Sequence, residues 1–357
     1  MNQRLRHLPS ISVLMPTLNA ARTLEKCLQS IVIQDYPREK IEIIVADGGS
    51  TDDTLGIISK FQIPNARFAG FLRNAKFQIK VVDNPLKTGE AGKAVALKEA
   101  KNELVALIDS DNLLPDKNWF QRMVEPFSDP EIIGSEPWEF TYRKDDSLVN
   151  RYCALIGAND PYCYFIGNYD KKSVLSGKWT GLSLAQKEKN NYLKVKIEGK
   201  VLPTIGANGT IWRREVLKRA IGSRRYLFDT DVPYLLAKKK PFWFAKVKIG
   251  IVHLYCPRLR DFYRKQKRRA QDFFHLEDKK ERQETYQRQL TKQLAFVLAT
   301  IFVFPLVIQA LKGYIKKPER AWFFHPFACL ITLWLYGSET FLTKLRVPQI
   351  ERKGWHQ

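Results

Sequence analysis

Apolar and polar positions alternate along the first 115 residues in a pattern that predicts strands and helices in turn. Four short, mainly apolar runs predict strands, and the fourth, which is uncharged, has the composition of a strand that is buried on both faces. These predicted strands cover residues 11–15, 41–46, 77–82 and 104–108. The segments between them carry apolar residues at helical spacing or residues that favour helix starts. The series predicts an α/β fold with a mainly parallel sheet, helices on both faces and binding loops along one edge.

Polar loops follow the predicted strands and offer groups that bind ligands. The glycines of Asp47-Gly-Gly-Ser50 permit a tight turn, and the Asp47 carboxylate can accept a hydrogen bond from a base or a ribose hydroxyl. Lys93 lies near a predicted helix start, where a phosphate is favoured. The structural alternatives are an ordinary capped turn and a solvated surface lysine.

The fourth strand ends in Asp109-Ser-Asp111. Side chains two residues apart on an extended segment point the same way, so the two carboxylates are expected to converge. They would repel each other unless a cation lay between them, which favours a divalent metal that holds an anionic substrate. For this motif taken alone, an acidic loop that caps the next helix is the alternative.

Further candidates lie downstream of residue 115. Gly206 and Asn208 belong to a glycine-containing loop that suits a bent path near a ligand. Arg213 and Arg214 open a predicted helix and can carry charge toward a phosphate.

Two more carboxylates, Asp229 and Asp231, precede another predicted helix, and at least one of them is expected to cap it. His253 ends a strand-like segment. The chain then becomes strongly basic, and a predicted helix with apolar side chains on it also carries Lys265, Arg268 and Arg269.

The formal net charge is +22, which leaves phosphorylated substrates, anionic lipids and nucleic acids as partners. The five cysteines are scattered and show no C-x-x-C spacing, as in a reducing compartment.

Two uncharged runs of eighteen residues lie at 294–311 and 321–338. As helices they would each be about 27 Å long, close to the hydrocarbon thickness of a bilayer. The flanking basic residues predict a hairpin of two membrane helices with both ends in the cytosol. The turn between the runs is itself basic, which the same rule disfavours on the outer side, so a shallow hairpin in one leaflet or a pair of oligomerising helices stays open. The basic residues of this turn are Lys312, Lys316, Lys317 and Arg320.

Taken together, four motifs resemble the nucleotide-sugar half of a family 2 glycosyltransferase with the GT-A fold. Each motif is weak by itself, but their order and spacing are specific. They are Pro16-Thr-Leu-Asn19, the segment from Asp47 to Thr54, Gly-x-x-Gly-Lys93 and Asp109-Ser-Asp111.

The resemblance implies a GT-A type mixed, mainly parallel sheet, and a divalent metal, Mg²⁺ or Mn²⁺, on Asp109 and Asp111. It implies that Asp47 contacts the nucleobase. The remaining donor-binding residues would be Pro16, Thr17, Asn19, Gly48, Lys93 and Ser110.

For the acceptor side, the resemblance implies a general base at Asp231 or Asp229. Asp231 is favoured, although the motif departs from the usual Glu-Asp pair of the family. His253 would approach the metal or the diphosphate, with a structural histidine as the alternative. Acceptor or phosphate contacts would come from Gly206, Asn208, Arg213, Arg214, Lys265, Arg268 and Arg269.

The predicted function is that of an inverting glycosyltransferase attached to the membrane, with its catalytic domain in the cytoplasm. It would transfer sugar from a nucleotide diphosphate sugar to a polyprenyl phosphate or another lipid-linked acceptor. A protein or polysaccharide acceptor and an inactive scaffold of the same fold are alternatives. A nucleic-acid-binding protein would explain the charge, but no matching motif is present and no nucleic acid partner is expected.

The predicted domain order begins with a catalytic domain over residues 1–255, with a donor half at 1–115 and an acceptor half at 116–255. It continues with basic amphipathic helices at 256–292, two membrane helices at 293–345, through which the chain could oligomerise, and a basic tail at 346–357.

Overall fold

The computed structural model describes residues 8–62, 78–278 and 289–345. The predicted basic tail at 346–357 therefore lies outside the described residues, as does part of the predicted amphipathic segment.

The chain divides into two compact units, which we call the sheet unit and the helical unit. The sheet unit contains residues 1–141 and 182–254, and the helical unit contains residues 142–181 and 255–357. Residues 142–181, which fell within the predicted catalytic domain, thus pack with the C-terminal helices.

A single sheet forms the centre of the sheet unit. Its strands in the described part of the chain are β1 (Ile11–Thr17), β2 (Ile41–Asp47), β3 (Gln78–Asp83), β4 (Leu104–Leu107), β5 (Asn112–Leu113), β6 (Ile132–Thr141), β7 (Gln186–Glu188), β8 (Tyr192–Ile197), β9 (Thr210–Arg213) and β10 (Phe242–His253). Their order is β3-β2-β1-β4-β9-β6-β10-β8-β7, and β5 pairs with β10. The strands β1 to β4 run parallel, β9 runs antiparallel to both of its neighbours, and β6 is parallel to β10. This mixed, mainly parallel sheet confirms the predicted fold class.

Helices flank the sheet and build the helical unit. The α-helices of the described residues are α1 (Ala21–Val32), α2 (Thr54–Gln62), α3 (Gly89–Glu99), α4 (Trp119–Val124), α5 (Leu148–Ile156), α6 (Pro161–Ile166), α7 (Arg214–Ile221), α8 (Asp231–Lys239), α9 (Leu259–Asp278), α10 (Leu290–Phe302), α11 (Phe304–Lys316) and α12 (His325–Lys344). The helices α5, α6 and α9 to α12 belong to the helical unit.

Close packing fixes α3 against the strand ends. The Thr88 side chain caps the helix by accepting a hydrogen bond from the Ala91 amide at 3.2 Å. A Cβ atom on Gly92 would lie 2.8 Å from Cβ of Pro16, so only glycine allows the helix to come this near to β1. This approach brings the second turn of α3, with Lys93, to the carboxyl edge of the sheet.

The helical unit corrects one predicted element. We expected one continuous helix over 294–311, but Val303 adopts a left-handed conformation with φ of 59°, and α10 and α11 meet there at an angle of 92°. Pro305 follows two residues later, where it suits the first turn of a new helix. Among the described residues, no single helix is long and apolar enough to cross a membrane. This bent pair alone has the length and composition of a span when its two halves are taken together.

Candidate active site

Three loops of the sheet unit meet at the carboxyl ends of β1, β2 and β4. The parallel register pairs Thr17 with Asp47 and Leu14 with Leu107, so the segments that follow these strands leave the sheet at the same edge. This is the edge at which open α/β sheets bind ligands. The structure thus brings the predicted donor-binding loops together.

The carboxylate of Asp47 is buried and organises its own loop. It accepts hydrogen bonds from Thr17 Oγ1 at 2.9 Å, from the amides of Gly49 and Ser50 at 2.9 and 2.8 Å, and from Ser50 Oγ at 2.6 Å. Burial by itself would raise the pKa of Asp47, but these hydrogen bonds outweigh it and lower that pKa. The predicted contact between Asp47 and a nucleobase stays a prediction.

The loop after β1 is joined to the loop after β2. Asn19 has a φ of 50°, which asparagine tolerates better than most residues, and its Oδ1 accepts a hydrogen bond from the Thr51 amide at 2.8 Å. A Cβ atom on Gly48 would lie 3.3 Å from both the Leu18 side chain and the Lys87 backbone. The loops that carry Pro16, Thr17, Asn19 and Gly48 therefore form one connected surface.

Lys93 links the two acidic motifs of the sequence. Its side chain is 6% exposed, and its Nζ lies 2.8 Å from Asp229 Oδ2 and 3.5 Å from Asp109 Oδ1. The Asp109 and Asp229 side chains are 31% and 17% exposed, so the carboxylates remain open to a ligand on one side. Asp229, 136 positions after Lys93 in the chain, thus shares this lysine with Asp109.

This cluster holds more negative than positive charge. Burial raises the pKa of the Asp109 carboxyl, and the neighbouring Asp111 adds to the effect. Burial also raises the pKa of Asp229, to about 6, against the opposing effect of Lys93. Burial would lower the pKa of Lys93, but Asp109 and Asp229 outweigh it and raise that pKa. The ammonium group stays charged among an excess of carboxylates, an arrangement that favours an additional cation.

The predicted metal ligands lie near one another. Ser110 separates the two aspartates on a turn, and Nε2 of His253 lies 3.5 Å from Asp111 Oδ2. Asp109 Oδ1 and Asp229 Oδ1 are buried and accept no hydrogen bond within the described residues. Carboxylate oxygens of this kind, with an imidazole nearby, suit Mg²⁺ or Mn²⁺. No group of three or more His, Cys, Asp or Glu side chains in the described ranges converges closely enough to hold a metal ion by itself.

Asn112 holds the Asp109-Ser-Asp111 segment in place and was not predicted. Its Oδ1 accepts a hydrogen bond from the Asp109 amide at 3.1 Å, and its Nδ2 donates to Asn208 Oδ1 at 3.1 Å. The predicted acceptor-loop residue Asn208 is therefore connected to the backbone of the aspartate motif. The signal available in the sequence was an asparagine directly after Asp109-Ser-Asp111.

A buried ion pair supports the loop of Gly206 and Asn208 and was also missed. Glu136 and Lys246 are fully buried and form a short ion pair, and Lys246 also donates to the Pro137 carbonyl at 3.0 Å. The other Glu136 oxygen lies 3.4 Å from the Gly206 amide and from Thr210 Oγ1. The two charges lie on strands 110 positions apart in the chain, and the sequence pattern gives no reason to pair them.

Asp231 is the first residue of α8 and is buried, 3% exposed. A carboxylate there complements the positive end of the helix dipole. Asp229, two residues earlier, lies outside the helix and reaches Lys93. The two candidate bases thus have different surroundings.

Arg213 and Arg214 lie at the other end of the sheet. Arg213 is opposite Leu104, the first residue of β4, which is five residues or about 16 Å from Asp109. Arg213 donates to the Ile132 and Phe127 carbonyls at 3.0 and 2.9 Å, and Arg214 donates to the Ala100 carbonyl at 3.3 Å. The structure does not bring these two arginines to the acidic cluster.

The predicted phosphate-binding residues of α9 belong to the helical unit. Lys265 Nζ lies 4.3 Å from the centre of the Tyr255 ring. Arg268 is exposed, with Asp272 at 3.8 Å, and Arg269 lies 3.3 Å from Asp160. Their role in phosphate binding stays a prediction.

A mixed sheet that gathers acidic and basic side chains at its carboxyl edge defines an α/β protein with a charged site at the ends of its parallel strands. More specifically, residues 12–219 match the family described as Glycosyl transferase family 2, and the chain belongs to that family. This confirms the resemblance found in the sequence.

Each curated relative is matched over only part of its length. Glycosyltransferase AglE of Haloferax volcanii is 28% identical over 148 residues, which are 41% of this chain and 44% of the relative. GalNAc(5)-diNAcBac-PP-undecaprenol beta-1,3-glucosyltransferase of Campylobacter jejuni is 34% identical over 108 residues, 30% of this chain and 31% of the relative. The chain thus spans less than half the length of each of these curated relatives. A mannosyltransferase structure from Pyrobaculum calidifontis, solved with GDP-Man and Mn²⁺, aligns over 92% of this chain and 87% of that one, with a TM-score of 0.49 and 17% identity.

Proposed function

We propose that this chain is an inverting glycosyltransferase that moves a sugar from a nucleotide diphosphate sugar to a lipid-linked acceptor at the cytosolic face of a membrane. The observation that carries the proposal is the cluster in which Lys93 joins Asp109 to Asp229. In a member of glycosyl transferase family 2, such a cluster would supply charge compensation for a leaving diphosphate, next to the carboxylate of Asp231.

Asp109 and Asp111, with His253 beside them, would hold a divalent cation together with the donor phosphates. Mg²⁺ usually binds through one or two carboxylates plus substrate phosphates, which fits a site in which the protein groups alone are too few. The cation would neutralise charge that develops on the leaving diphosphate. Lys93, kept charged by its carboxylate neighbours, would contribute to the same task.

Asp231 would act as the general base toward an acceptor hydroxyl, and Asp229 would position Lys93. A buried carboxylate two residues from the cluster suits proton transfer, while Asp229 already binds the lysine at 2.8 Å. If the acceptor is a lipid phosphate, it is ionised near neutral pH and Asp231 would mainly orient it. Gly206 and Asn208 would line the acceptor side.

The lipid-linked acceptor is supported by the relatives. The Campylobacter jejuni protein is named for an undecaprenol-linked acceptor, and a Methanococcus voltae relative, 46% identical over 52 residues, is named for a dolichyl phosphate. A polymer acceptor is the second candidate, because the Staphylococcus aureus relative TarS, 36% identical over 105 residues and matched over 16% of its own length, is named for poly(ribitol-phosphate).

A screen of nucleotide sugars that carry a radiolabelled sugar, with Mg²⁺ or Mn²⁺, against lipid extract tests the proposal. We expect label from one donor to enter the organic phase. Label that appears only in water-soluble glycan or protein would exclude the lipid acceptor and favour the polymer. A chain that binds nucleotide sugar but transfers nothing to any acceptor would be the inactive scaffold.

Asn112→Ala is expected to weaken Mn²⁺ binding in the presence of a nucleoside diphosphate by about tenfold or more, because partners of metal-binding groups typically contribute that much. The variant loses the bonds to both Asp109 and Asn208. Titration calorimetry measures the effect. Asn208→Ala should have a smaller effect, and Asn118→Ala, an exposed asparagine at the start of α4, should have none. Unchanged Mn²⁺ affinity in Asn112→Ala would show that the link is structural only.

A further inference from the structure

The C-terminal helices expose apolar stripes. On α10, α11 and α12, large apolar side chains at intervals of three or four residues are 40–80% exposed, a pattern that places them on one face of each helix. We call this set the outer face: Leu290, Leu294, Leu298, Ile301, Phe302, Phe304, Val307, Leu311, Ile315, Phe327, Leu330, Trp334 and Phe341.

Polar side chains of the same helices point inward. His325 is fully buried, and its two ring nitrogens lie 2.8 Å from Tyr152 Oη and from Gln309 Oε1. Glu339 is 4% exposed and accepts a hydrogen bond from Gln271 at 3.1 Å. Thr300 and Thr332 are fully buried as well. Apolar groups outside and polar groups inside reverse the arrangement of a water-soluble helix and match that of helices in contact with lipid.

The dimensions of α10 and α11 do not suit a crossing, and α12, although it has twenty residues, is not apolar enough to be a span. The helices α10 and α11 have thirteen residues each, about 20 Å, whereas the hydrocarbon core is about 30 Å thick. The 92° bend between them prevents the two lengths from adding along one direction. A segment of this shape fits a depth of one leaflet.

Basic residues border the outer face. Lys312, Lys316, Lys317 and Arg320 are all exposed, at the end of α11 and in the turn that follows. A second copy of the chain would bring the same positive charges against this border, whereas anionic headgroups would neutralise them.

We propose that the outer face inserts into one leaflet of an anionic bilayer, with the basic border among the headgroups. This attachment would be monotopic, which is the alternative that the sequence left open beside a spanning hairpin. It does not depend on the proposed reaction, because insertion needs no turnover and no particular acceptor.

Flotation of the full chain with preformed vesicles tests the surface. We expect the chain to float with phosphatidylcholine vesicles that contain a quarter phosphatidylglycerol. Leu298→Glu combined with Phe302→Glu should lower binding by at least about tenfold, because two charges would enter the acyl region. The matched control, Leu55→Glu, changes an equally exposed leucine of the sheet unit and should float like the parent. Circular dichroism and thermal unfolding confirm that the variants are folded.

A second double variant tests the basic border. Lys312→Gln combined with Arg320→Gln should weaken binding to the anionic vesicles by about tenfold to thirtyfold at low salt, and should leave binding to pure phosphatidylcholine unchanged. An equal loss on both vesicle types would contradict the assigned headgroup contact.

The one-leaflet depth is tested with Lys317→Cys and a membrane-impermeant maleimide added outside the vesicles. Labelling without detergent, above the background of the parent cysteines, is the expected result. Protection until detergent is added would show that the turn has crossed the bilayer. The proposal would be overturned if the parent does not bind vesicles and instead forms a dimer without lipid, and if Leu298→Glu combined with Phe302→Glu dissociates that dimer. The outer face would then be an interface between copies of the chain.

Discussion

Replacing Asp109 and Asp111 together by asparagine should lower metal-dependent sugar transfer by about a thousandfold or more. Electrostatic and metal-based stabilisation of a leaving diphosphate is usually the largest catalytic contribution, and this change removes both carboxylates that would anchor it. The fold should survive, because asparagine has nearly the same shape and the two side chains are 31% and 22% exposed. Lys93 also keeps Asp229 as its partner at 2.8 Å.

Two measurements separate this effect from simple damage. Initial rates at saturating Mn²⁺ report transfer, and calorimetric titration of Mn²⁺ with a nucleoside diphosphate reports the loss of the cation. Asp83→Asn is the matched control, because Asp83 ends β3 at the same edge of the sheet and is exposed. We expect this control to retain full activity. Undiminished metal-dependent transfer in the double variant would refute the assignment of the donor site.

The sequence was sufficient for the strands and loops that local patterns encode. Short, mainly apolar runs identified β1 to β4, and the loops at their carboxyl ends meet because parallel strands end at a common edge. Such features depend on residues close in sequence. The ion pair of Lys93 with Asp229 joins residues 136 positions apart, and no local pattern encodes it.

The direction of β9 explains why Arg213 and Arg214 lie away from the acidic cluster. Arg213 and Arg214 follow a strand, as the donor-site residues do, but β9 runs antiparallel to β4. Residues before β9, such as Asn208, therefore reach the acidic edge, while residues after it leave at the opposite edge. A single sequence does not reveal which strand of a mixed sheet is reversed.

The break at Val303 was equally hidden. Hydropathy averages over a window and treats 294–311 as one apolar run, whereas one residue in the left-handed region is enough to turn the chain by 92°. Valine is β-branched and seldom adopts that conformation, so neither propensity nor pattern points to a turn there. The polar residues Gln309 and His325 lie within the two apolar runs, and the contacts of the buried His325 ring with Tyr152 and Gln309 supply the physical reason for them.

The two aspartates before α8 should respond differently to substitution. With a hydroxyl acceptor, Asp231→Asn is expected to lower kcat by about a thousandfold, within the range for loss of a general base. Asp229→Asn should cost about tenfold to a hundredfold, mainly in KM for the donor, because Lys93 loses its nearest partner. Steady-state kinetics of both variants at pH 7.5 measure the contrast. If the acceptor is a lipid phosphate, the loss in Asp231→Asn should shrink, because an ionised acceptor needs no base.

The pH dependence of the transfer activity tests the roles of Asp229 and Asp231 independently. The pKa of Asp229 is raised to about 6, so this carboxyl is ionised and holds Lys93 above that pH and becomes neutral below it. Activity of the parent should therefore fall as the pH drops through about 6. In Asp229→Asn this fall in activity at low pH, the acid limb of the pH profile, should disappear because asparagine does not titrate. The residual rate of the variant should stay measurable. The opposite outcome is an inactive Asp229→Asn variant together with an active Asp231→Asn variant whose activity still falls at low pH. It would make Asp229 the base and leave Asp231 as the residue that starts the helix.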